Sequence, residues 1–451
     1  MTDSYKLSHY KQYPTGTTNV YSYFESRGGR FNDVVFFGLQ YYLKNYLEGV
    51  VVTQEKIDSA AKLYEKHFGN AAVFYREGWE YILKTHGGKL PVRIKAVAEG
   101  TPVHYQNAMM TIENTDPVCF WLTNFLETLL VQVWYGSTVA TQSREIKKRI
   151  LQYLDETGDP SLVNFKLHDF GFRGVSSVES ASIGGAAHLV NFMGTDTVAA
   201  LACIREFYNT DEVFGFSIPA AEHSTITSWG RENEAKAYLN MLTQYEEGLV
   251  AVVSDSYDVY NACENIWGGE LKKAVLNRKG TLVVRPDSGI PKDVVLRVIS
   301  ILGDRFGFTT NSKGYKVLHP NVRVIQGDGV DFDSIGEILD TLKTHGWSAD
   351  NIAFGMGGAL LQKLDRDTQK FAFKCSSAVV NGEEREVFKD PVTDSGKRSK
   401  RGRLKLVKDS QGNHQTLPAA AGSTDLLQTV FENGSIIKQY SFGEIKANAA
   451  I

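Results

Sequence analysis

Residues 166–196 read KLHDFGFRGVSSVESASIGGAAHLVNFMGTD, and this stretch decides the fold. It opens as a short strand over 165–168 and breaks at Asp169-Phe170-Gly171-Phe172-Arg173-Gly174. Two glycines around an aromatic and an arginine make a turn that a ligand or another backbone can approach closely. Ser176, Ser177 and Glu179 follow, residues suited to opening a helix. The next turns are almost all Ser, Ala and Gly, so a neighbour packs tightly on that helix. The stretch closes on Thr195-Asp196-Thr197, which caps a second helix predicted over 198–207. A strand end with a flat aromatic, a cation, a carboxylate and helix N-termini suits a planar ligand carrying anionic groups. The same residues also fit a plainer arrangement, with Phe170 in the core and Arg173 paired to a structural acid.

Downstream, the strand-then-helix unit repeats. An apolar run over 249–253 ends in Ser254-Asp255-Ser256-Tyr257-Asp258 and leads into a helix reaching Trp267. Residues 282–284 end in Arg285-Pro286-Asp287-Ser288-Gly289; the helix predicted over 292–302 carries Val294, Val295, Val298, Ile299 and Leu302 at helical spacing. Residues 322–325 end in Gln326-Gly327-Asp328-Gly329, and Ser334-x-x-Glu337 reads as the capping box of the next helix. Residues 351–354 end in Gly355-Met356-Gly357-Gly358. Continuous apolar strands alternating with helices imply a parallel sheet. Acids, arginines and glycines recur just past the strand ends, where a (β/α) barrel or a doubly wound sheet places its site. Five or more such units favour the barrel.

Upstream, the reading is mixed α and β, with a strand over 20–24, a second closing at Phe36-Phe37, helices over 39–47 and 53–67, and an alternating strand over 92–97. A strongly apolar helix is predicted over 121–135 and an amphipathic one over 144–155. After residue 362 the repeat stops, and 371–374 and 376–379 read as two antiparallel strands. The segment 389–405, KDPVTDSGKRSKRGRLK, fits a solvated loop, a nuclear-targeting signal or an anion-binding loop. The expected division is 1–155, an α/β domain; 156–361, the barrel; and 362–451, rejoining the first domain.

A chain of 451 residues has room for two domains and a large core. Its 42% hydrophobic and 22% charged residues are ordinary for a soluble globular protein. A net charge of −3 provides no field to draw it to nucleic acid or membrane. The opening MTDSYKLSHYKQYP lacks the apolar stretch of a signal peptide, and no apolar run is long enough to span a bilayer. Cys119, Cys203, Cys263 and Cys375 are scattered and read as reduced thiols, which points to the cytoplasm. The ten histidines show no HxxxH or HxxH spacing, which argues against a dedicated zinc site.

Asp287 and Asp328, on neighbouring strand ends, suit the vicinal hydroxyls of a ribose. Gly327, Gly357 and Gly358 offer bare backbone N–H groups to a phosphate. Arg173, Arg285 and His223 add cationic or donor groups, and Phe170 a stacking face. Together they describe a nucleotide or a phosphoribosyl donor. There is no Walker loop and no GxGxxG, and the DFG at Asp169 lacks the companion loops of a kinase.

TDSYKLSHYKQYP, KLHDFGFRGVSS, NFMGTDTVA, PAAEHSTITSWG, VVSDSYDVYNACE, VVRPDSG, VIQGDGVD and FGMGG occur in this order over residues 2 to about 443. In these motifs the chain resembles the nicotinamide phosphoribosyltransferases, of the nicotinate phosphoribosyltransferase superfamily. The resemblance implies a type II phosphoribosyltransferase: an irregular (β/α) barrel plus an α/β domain built from both chain ends. It implies transfer from phosphoribosyl pyrophosphate to nicotinamide with release of diphosphate, Mg²⁺, coupling to ATP hydrolysis, and a cytoplasmic homodimer with shared active sites. By motif, Phe170 stacks on the pyridine ring with Tyr5 of the other subunit opposite, Arg173 meets the diphosphate and the ring amide, and Asp196 accepts from the amide. Arg285 borders the ring. His223 resembles the histidine that ATP phosphorylates, supported by Asp255. Arg285, Pro286, Asp287, Gly327, Asp328, Gly357 and Gly358 hold the ribosyl phosphate, with Arg366 from the partner. Arg27, Lys374, Lys389 and Lys397 form a cationic patch for diphosphate or ATP. The chain departs from the animal members in a shorter loop after Arg27, an earlier C-terminus, and Ala251 where they have a serine. Two competing readings are a nicotinate-specific sister enzyme and a non-catalytic nucleotide-binding protein on the same fold.

Overall fold

The computed structural model describes residues 2–393 and 398–451, so Lys397 lies outside the described residues. The chain divides into two compact units. The first takes Met1–Thr141, Cys203–Asp211 and Leu364–Ala450; the second takes Gln142–Ala202 and Glu212–Lys363. The first division falls between 141 and 142 rather than near 155, inside the continuous helix Val133–Thr157. Cys203–Asp211 joins the first unit through Tyr208, which stacks on Phe37 at 5.4 Å and donates to the buried Glu99 carboxylate at 3.1 Å.

The first unit is built on a seven-stranded antiparallel sheet. Its order is Glu383–Glu386, Phe371–Val380, Thr17–Ser26, Ala108–Asn114, Val92–Ala96, Gln428–Glu432, Ser435–Ile436, so both chain ends supply strands. The two strands expected over 371–379 are one, paired along its length with Thr17–Ser26. No turn residue interrupts it at Cys375, and a bulge there absorbs the change of register. The apolar helix expected over 121–135 is broken instead into Leu122–Phe125, Glu127–Leu130 and the start of Val133–Thr157. The strand expected to close at Phe36-Phe37 ends earlier, at Asp33–Val35, because Phe36 and Phe37 turn into the core as fully buried side chains.

The second unit holds a six-stranded parallel sheet: β1 (Leu167–Asp169), β2 (Gly194–Thr195), β3 (Glu247–Val253), β4 (Lys279–Arg285), β5 (Val322–Gln326) and β6 (Ile352–Met356). Their order is β2-β1-β6-β5-β4-β3. Residues 216–221 join the two edges: Phe216 pairs with Gly194 beside β2, and Ala220 pairs with Ala251 on β3, both in parallel sense. The result is a barrel of six strands and one irregular stave. Ala251, Val283 and Ile325 fill its interior, with Phe170, Ile218 and Ala353 packed against them. The Lys166 ammonium donates to the carbonyls of Ala349, Asp350 and Ile352 at 2.9–3.0 Å and ties the start of β1 to that of β6.

Helices follow the strands as the apolar spacing predicts. Pro291–Phe306 begins on proline, whose fixed φ suits a first helical turn. Phe332–Thr344 does carry a capping box, but the cap is Asp331, with Ser334 as its third-position partner. The Asp331 carboxylate accepts from both Asp333 and Ser334 amides, so it takes the role expected of Ser334.

Candidate active site

The strand ends on one side of the barrel lead into polar or glycine turns, and the ends of β1, β2 and β4 share one cavity. It measures about 360 Å³ and is lined by Phe170, Phe172, Arg173, Asp196, Thr197 and Arg285. Phe170 follows β1 and is half-buried. Its ring packs directly on Gly355 of β6, where a Cβ would stand 1.9 Å from a ring carbon. Only glycine leaves room for the ring there, so the FGMGG run seats the aromatic as well as offering backbone N–H groups. The Arg285 guanidinium lies over the same ring at 5.5 Å. Its Nε and Nη2 donate to Asp287 Oδ1 at 3.1 and 2.7 Å, which fixes both side chains at the end of β4. Gly327, after β5, lies against this pair: a Cβ there would be 3.0 Å from Arg285 Nε. Arg173 is exposed and has no protein partner among the described residues. Gly174 faces Gly358 closely, at 3.1 Å from the Cβ it lacks to the Gly358 Cα.

Asp196 is exposed after β2, and its carboxylate accepts a hydrogen bond from the Ser217 hydroxyl on the irregular stave. The amide of Thr197 donates to Thr195 Oγ1 at 3.0 Å, so Thr195 does the local turn-closing expected of a cap. The Asp328 carboxylate is exposed, with no protein partner among the described residues. After the stave, His223 Nε2 meets Asp255 Oδ1 at 2.9 Å. Ser288, on the β4 turn, donates to Asp255 Oδ2 at 2.6 Å. Asp255 is nearly buried while His223 is half exposed, an oriented imidazole open to solvent. Sequence reasoning brought Phe170, Arg173, Asp196 and Arg285 together correctly, and missed Gly355, Ser217 and Ser288. The signal for Gly355 was available, since a glycine inside an apolar strand marks a close approach. Ser217 and Ser288 carried none.

The first unit gathers the other cations. Lys374 is half-buried; burial lowers its pKa, Glu127 raises it, and Arg27, Lys389 and Arg366 lower it further. These four side chains therefore share one electrostatic neighbourhood, which groups Arg366 with Arg27, Lys374 and Lys389. Arg27 donates through Nε to Glu25 Oε1 at 2.9 Å, while its buried Nη2 has no hydrogen-bond partner. Glu25 Oε2 accepts from Lys400 at 2.5 Å. In the basic segment, Arg398 pairs with Asp390 and Arg403 with Glu113. Tyr5 is 58% exposed on the short helix Ser4–Lys11.

His86, Asp116 and Cys119 also lie together, with candidate ligand atoms within 4.8 Å. Both Asp116 oxygens are taken, by the Val118 amide and by Tyr81 and His86, and burial pushes the Cys119 thiol up to about 12. No helix among the described residues is long and apolar enough to cross a membrane.

Comparison with known proteins agrees with this geometry. Residues 165–435 match the model of the nicotinate phosphoribosyltransferase family, and residues 1–94 that of the nicotinamide phosphoribosyltransferase N-terminal domain. The chain is 51% identical to a nicotinamide phosphoribosyltransferase of Xanthomonas campestris pv. campestris, covering 99% of this chain and 97% of the relative. It is 35% identical to one of Acinetobacter baylyi, covering 99% and 96%. Among solved structures, a nicotinate-nucleotide pyrophosphorylase of Pyrococcus furiosus superposes with a TM-score of 0.59 at 18% identity, covering 100% of this chain and 93% of that one. Human nicotinic acid phosphoribosyltransferase superposes with a TM-score of 0.55 at 14% identity, covering 100% and 93%; at such identities the likeness is one of fold. The strand-end turns, the aromatic seat and the matches along the whole length converge: the chain belongs to the nicotinate phosphoribosyltransferase family.

Proposed function

We propose that this phosphoribosyltransferase condenses nicotinamide with phosphoribosyl pyrophosphate to give nicotinamide mononucleotide and diphosphate, a step of NAD salvage. The observation that carries the reading is the cavity with Phe170 on one wall and the Asp196 carboxylate on another. A flat ring stacks on the first, and a carboxamide donates to the second. Nicotinate shares the ring but brings a carboxylate, which Asp196 repels.

The bond that breaks joins ribose C1 to the diphosphate. Positive charge develops on the ribose and negative charge on the leaving group, while the pyridine nitrogen attacks C1 from the opposite face. No protein nucleophile is needed; the protein positions the reactants and stabilises charge. Asp287 and Asp328 suit the ribosyl hydroxyls, and Pro286, Gly327, Gly357 and Gly358 shape the phosphate seat. Arg173 and the cations Arg27, Lys374 and Lys389 suit the diphosphate, with Lys397 of the same basic segment, and Arg366 of the partner subunit suits the ribosyl phosphate. The Asp328 carboxylate, a hard oxygen donor with no protein partner among the described residues, would help hold a Mg²⁺ ion carried on the diphosphate, and that ion would supply charge neutralisation for the leaving group.

His223 is the group through which ATP hydrolysis couples. The contact to Asp255 keeps the proton on Nε2, which leaves the Nδ1 lone pair as nucleophile toward the ATP γ-phosphate. ADP leaves, and the phosphohistidine is later hydrolysed. Tyr5, exposed on its short helix, suits the second face of the ring in a cytoplasmic homodimer.

The test is mononucleotide formation from nicotinamide against nicotinate, with and without ATP. We expect product from nicotinamide, stimulation by ATP, and slow ATP-independent transfer by His223→Ala with no ATP hydrolysis. ATPase activity surviving that substitution moves the phosphoacceptor elsewhere; equal use of nicotinate overturns the substrate reading. Mixing inactive Tyr5→Ala and Phe170→Ala chains restores some activity if the sites are shared, and none if each chain is complete.

A further inference from the structure

Two residues lining the cavity, Phe170 and Asp196, each sit at the centre of a tight turn, and the two turns are built alike. Asp169 Oδ1 accepts from the amide of Gly171 at 2.7 Å, closing the turn around Phe170. Thr195 Oγ1 accepts from the amide of Thr197 at 3.0 Å, closing the turn around Asp196. The turns are then fastened to each other. Thr195 Oγ1 donates to Asp169 Oδ2 at 3.4 Å, and the amide of Asp196 donates to the Asp169 carbonyl at 3.0 Å. Asp169 is fully buried and Thr195 is 3% exposed, so neither touches a ligand from solvent. The space around the carboxylate is filled: a Cβ on Gly185 would stand 3.1 Å from Asp169 Oδ2 and 2.7 Å from the Ala200 Cβ.

We propose that Asp169 and Thr195 are positioning residues that fix the spacing and orientation of the ring-stacking wall relative to the amide-reading wall. The pair belongs to no motif role assigned above, and its logic is one of hydrogen-bond direction. A hydroxyl has one proton. Thr195 gives it to Asp169, which leaves its lone pairs for the Thr197 amide. Each bond therefore sets the sense of the next, from Gly171 through the carboxylate and the hydroxyl to Thr197. Side-chain oxygens that take amides two residues on hold such turns locally. Here the two local holds share a bond, so loosening either one moves Phe170 and Asp196 relative to each other. An ångström of misplacement in such a site costs far more in substrate use than in folding.

The inference rests on the reading of this cavity as the nicotinamide pocket. Its test uses Thr195→Val, which keeps the shape and removes the hydroxyl, Thr195→Ser, which keeps the hydroxyl, and Asp169→Asn. In the full-length enzyme, KM for nicotinamide should rise about tenfold or more in Thr195→Val and Asp169→Asn. KM for phosphoribosyl pyrophosphate should stay within about twofold, and the preference for nicotinamide over nicotinate should shrink. Thr195→Ser should behave as wild type. A joint rise of both KM values with a falling Tm, or an unchanged KM for nicotinamide, overturns the inference while wild-type turnover leaves the substrate reading intact. If wild type forms no mononucleotide from nicotinamide, the substrate reading falls and the inference falls with it.

Discussion

The two units collect charge in opposite ways. In the barrel, Phe170, Asp196, Asp255 and Asp328 each follow a strand and Arg285 ends one, and parallel topology delivers them to one side in sequence order. In the antiparallel sheet no such rule operates. Arg27, Arg366, Lys374 and Lys389 come from three separate stretches, and register rather than topology gathers them: Lys374 lies opposite Tyr23, and Arg27 follows that strand's end. Some of the barrel's groups are held by protein partners, Arg285 by Asp287 and His223 by Asp255, while Arg173 and Asp328 are left open; in the first unit Arg27 is held through Nε by Glu25 but keeps its Nη2 unpaired. A pocket for a neutral ring is shaped by packing and a few fixed polar atoms. A site for a highly charged group keeps donors in reserve.

The sharpest way to break this contrast is Gly355→Ala. The added Cβ meets the Phe170 ring at 1.9 Å and must displace it. We expect nicotinamide use to fall by about two orders of magnitude or more, against a stability loss of about 1–3 kcal/mol. Combining it with Phe170→Leu should recover part of the stability but little activity; a fully active Gly355→Ala enzyme would show that the ring is not fixed.

Asp196→Asn comes next. The amide still accepts from a carboxamide but no longer repels an acid, so the ratio of kcat/KM for nicotinamide over nicotinate should drop roughly a hundredfold. A ratio within about twofold of wild type, with a lowered Tm, would make Asp196 purely structural.

Lys374→Met sharpens the other side. We expect KM for phosphoribosyl pyrophosphate to rise about tenfold while KM for nicotinamide holds, and the effect should diminish with added salt. An equal rise in both constants would overturn a role for Lys374 specific to phosphoribosyl pyrophosphate.

The smallest effect is one of pH. Burial raises the Asp169 carboxyl to about 6, with amide and hydroxyl donors opposing the rise and Asp196 adding to it. A carboxyl whose folded pKa lies above its unfolded value contributes stability that is full at low pH and lost as pH climbs through the folded value. Between about pH 4 and 6, wild type should therefore lose on the order of 1–2 kcal/mol relative to Asp169→Asn, read by denaturant unfolding. Parallel curves for the two proteins would remove the carboxyl as the source.

Much of the barrel was legible because apolar period and turn chemistry agree there. The runs ending in Arg285, Gln326 and Met356 each became a strand followed by a polar or glycine turn. The first unit was less so. A bulged strand such as Phe371–Val380 reads as two pieces, since a register shift leaves the same local trace as a break. The 121–135 run failed for the reverse reason: its apolar residues serve short helical pieces, and uniform hydropathy does not show where the backbone bends. The motif residues were legible, but their support was not. Ser217, Ser288 and Thr195 are small hydroxyl residues whose roles depend on partners from distant strands.

The seating of Phe170 on Gly355 also bears on how the chain folds. Around the barrel, neighbours are successive in sequence, β1 to β2, through the stave to β3, and on to β6, except at one joint, where Leu167 of β1 lies opposite Phe354 of β6. All other staves can zip from local contacts; this pairing must wait for the widest loop closure in the barrel. The ring stands just past one side of that joint and its glycine within the other. Until the last strand docks, Phe170 has no floor, so a nascent or truncated chain that ends before β6 has no ring pocket however complete its other strands. Ligand binding to this cavity thus reports the final step of barrel assembly.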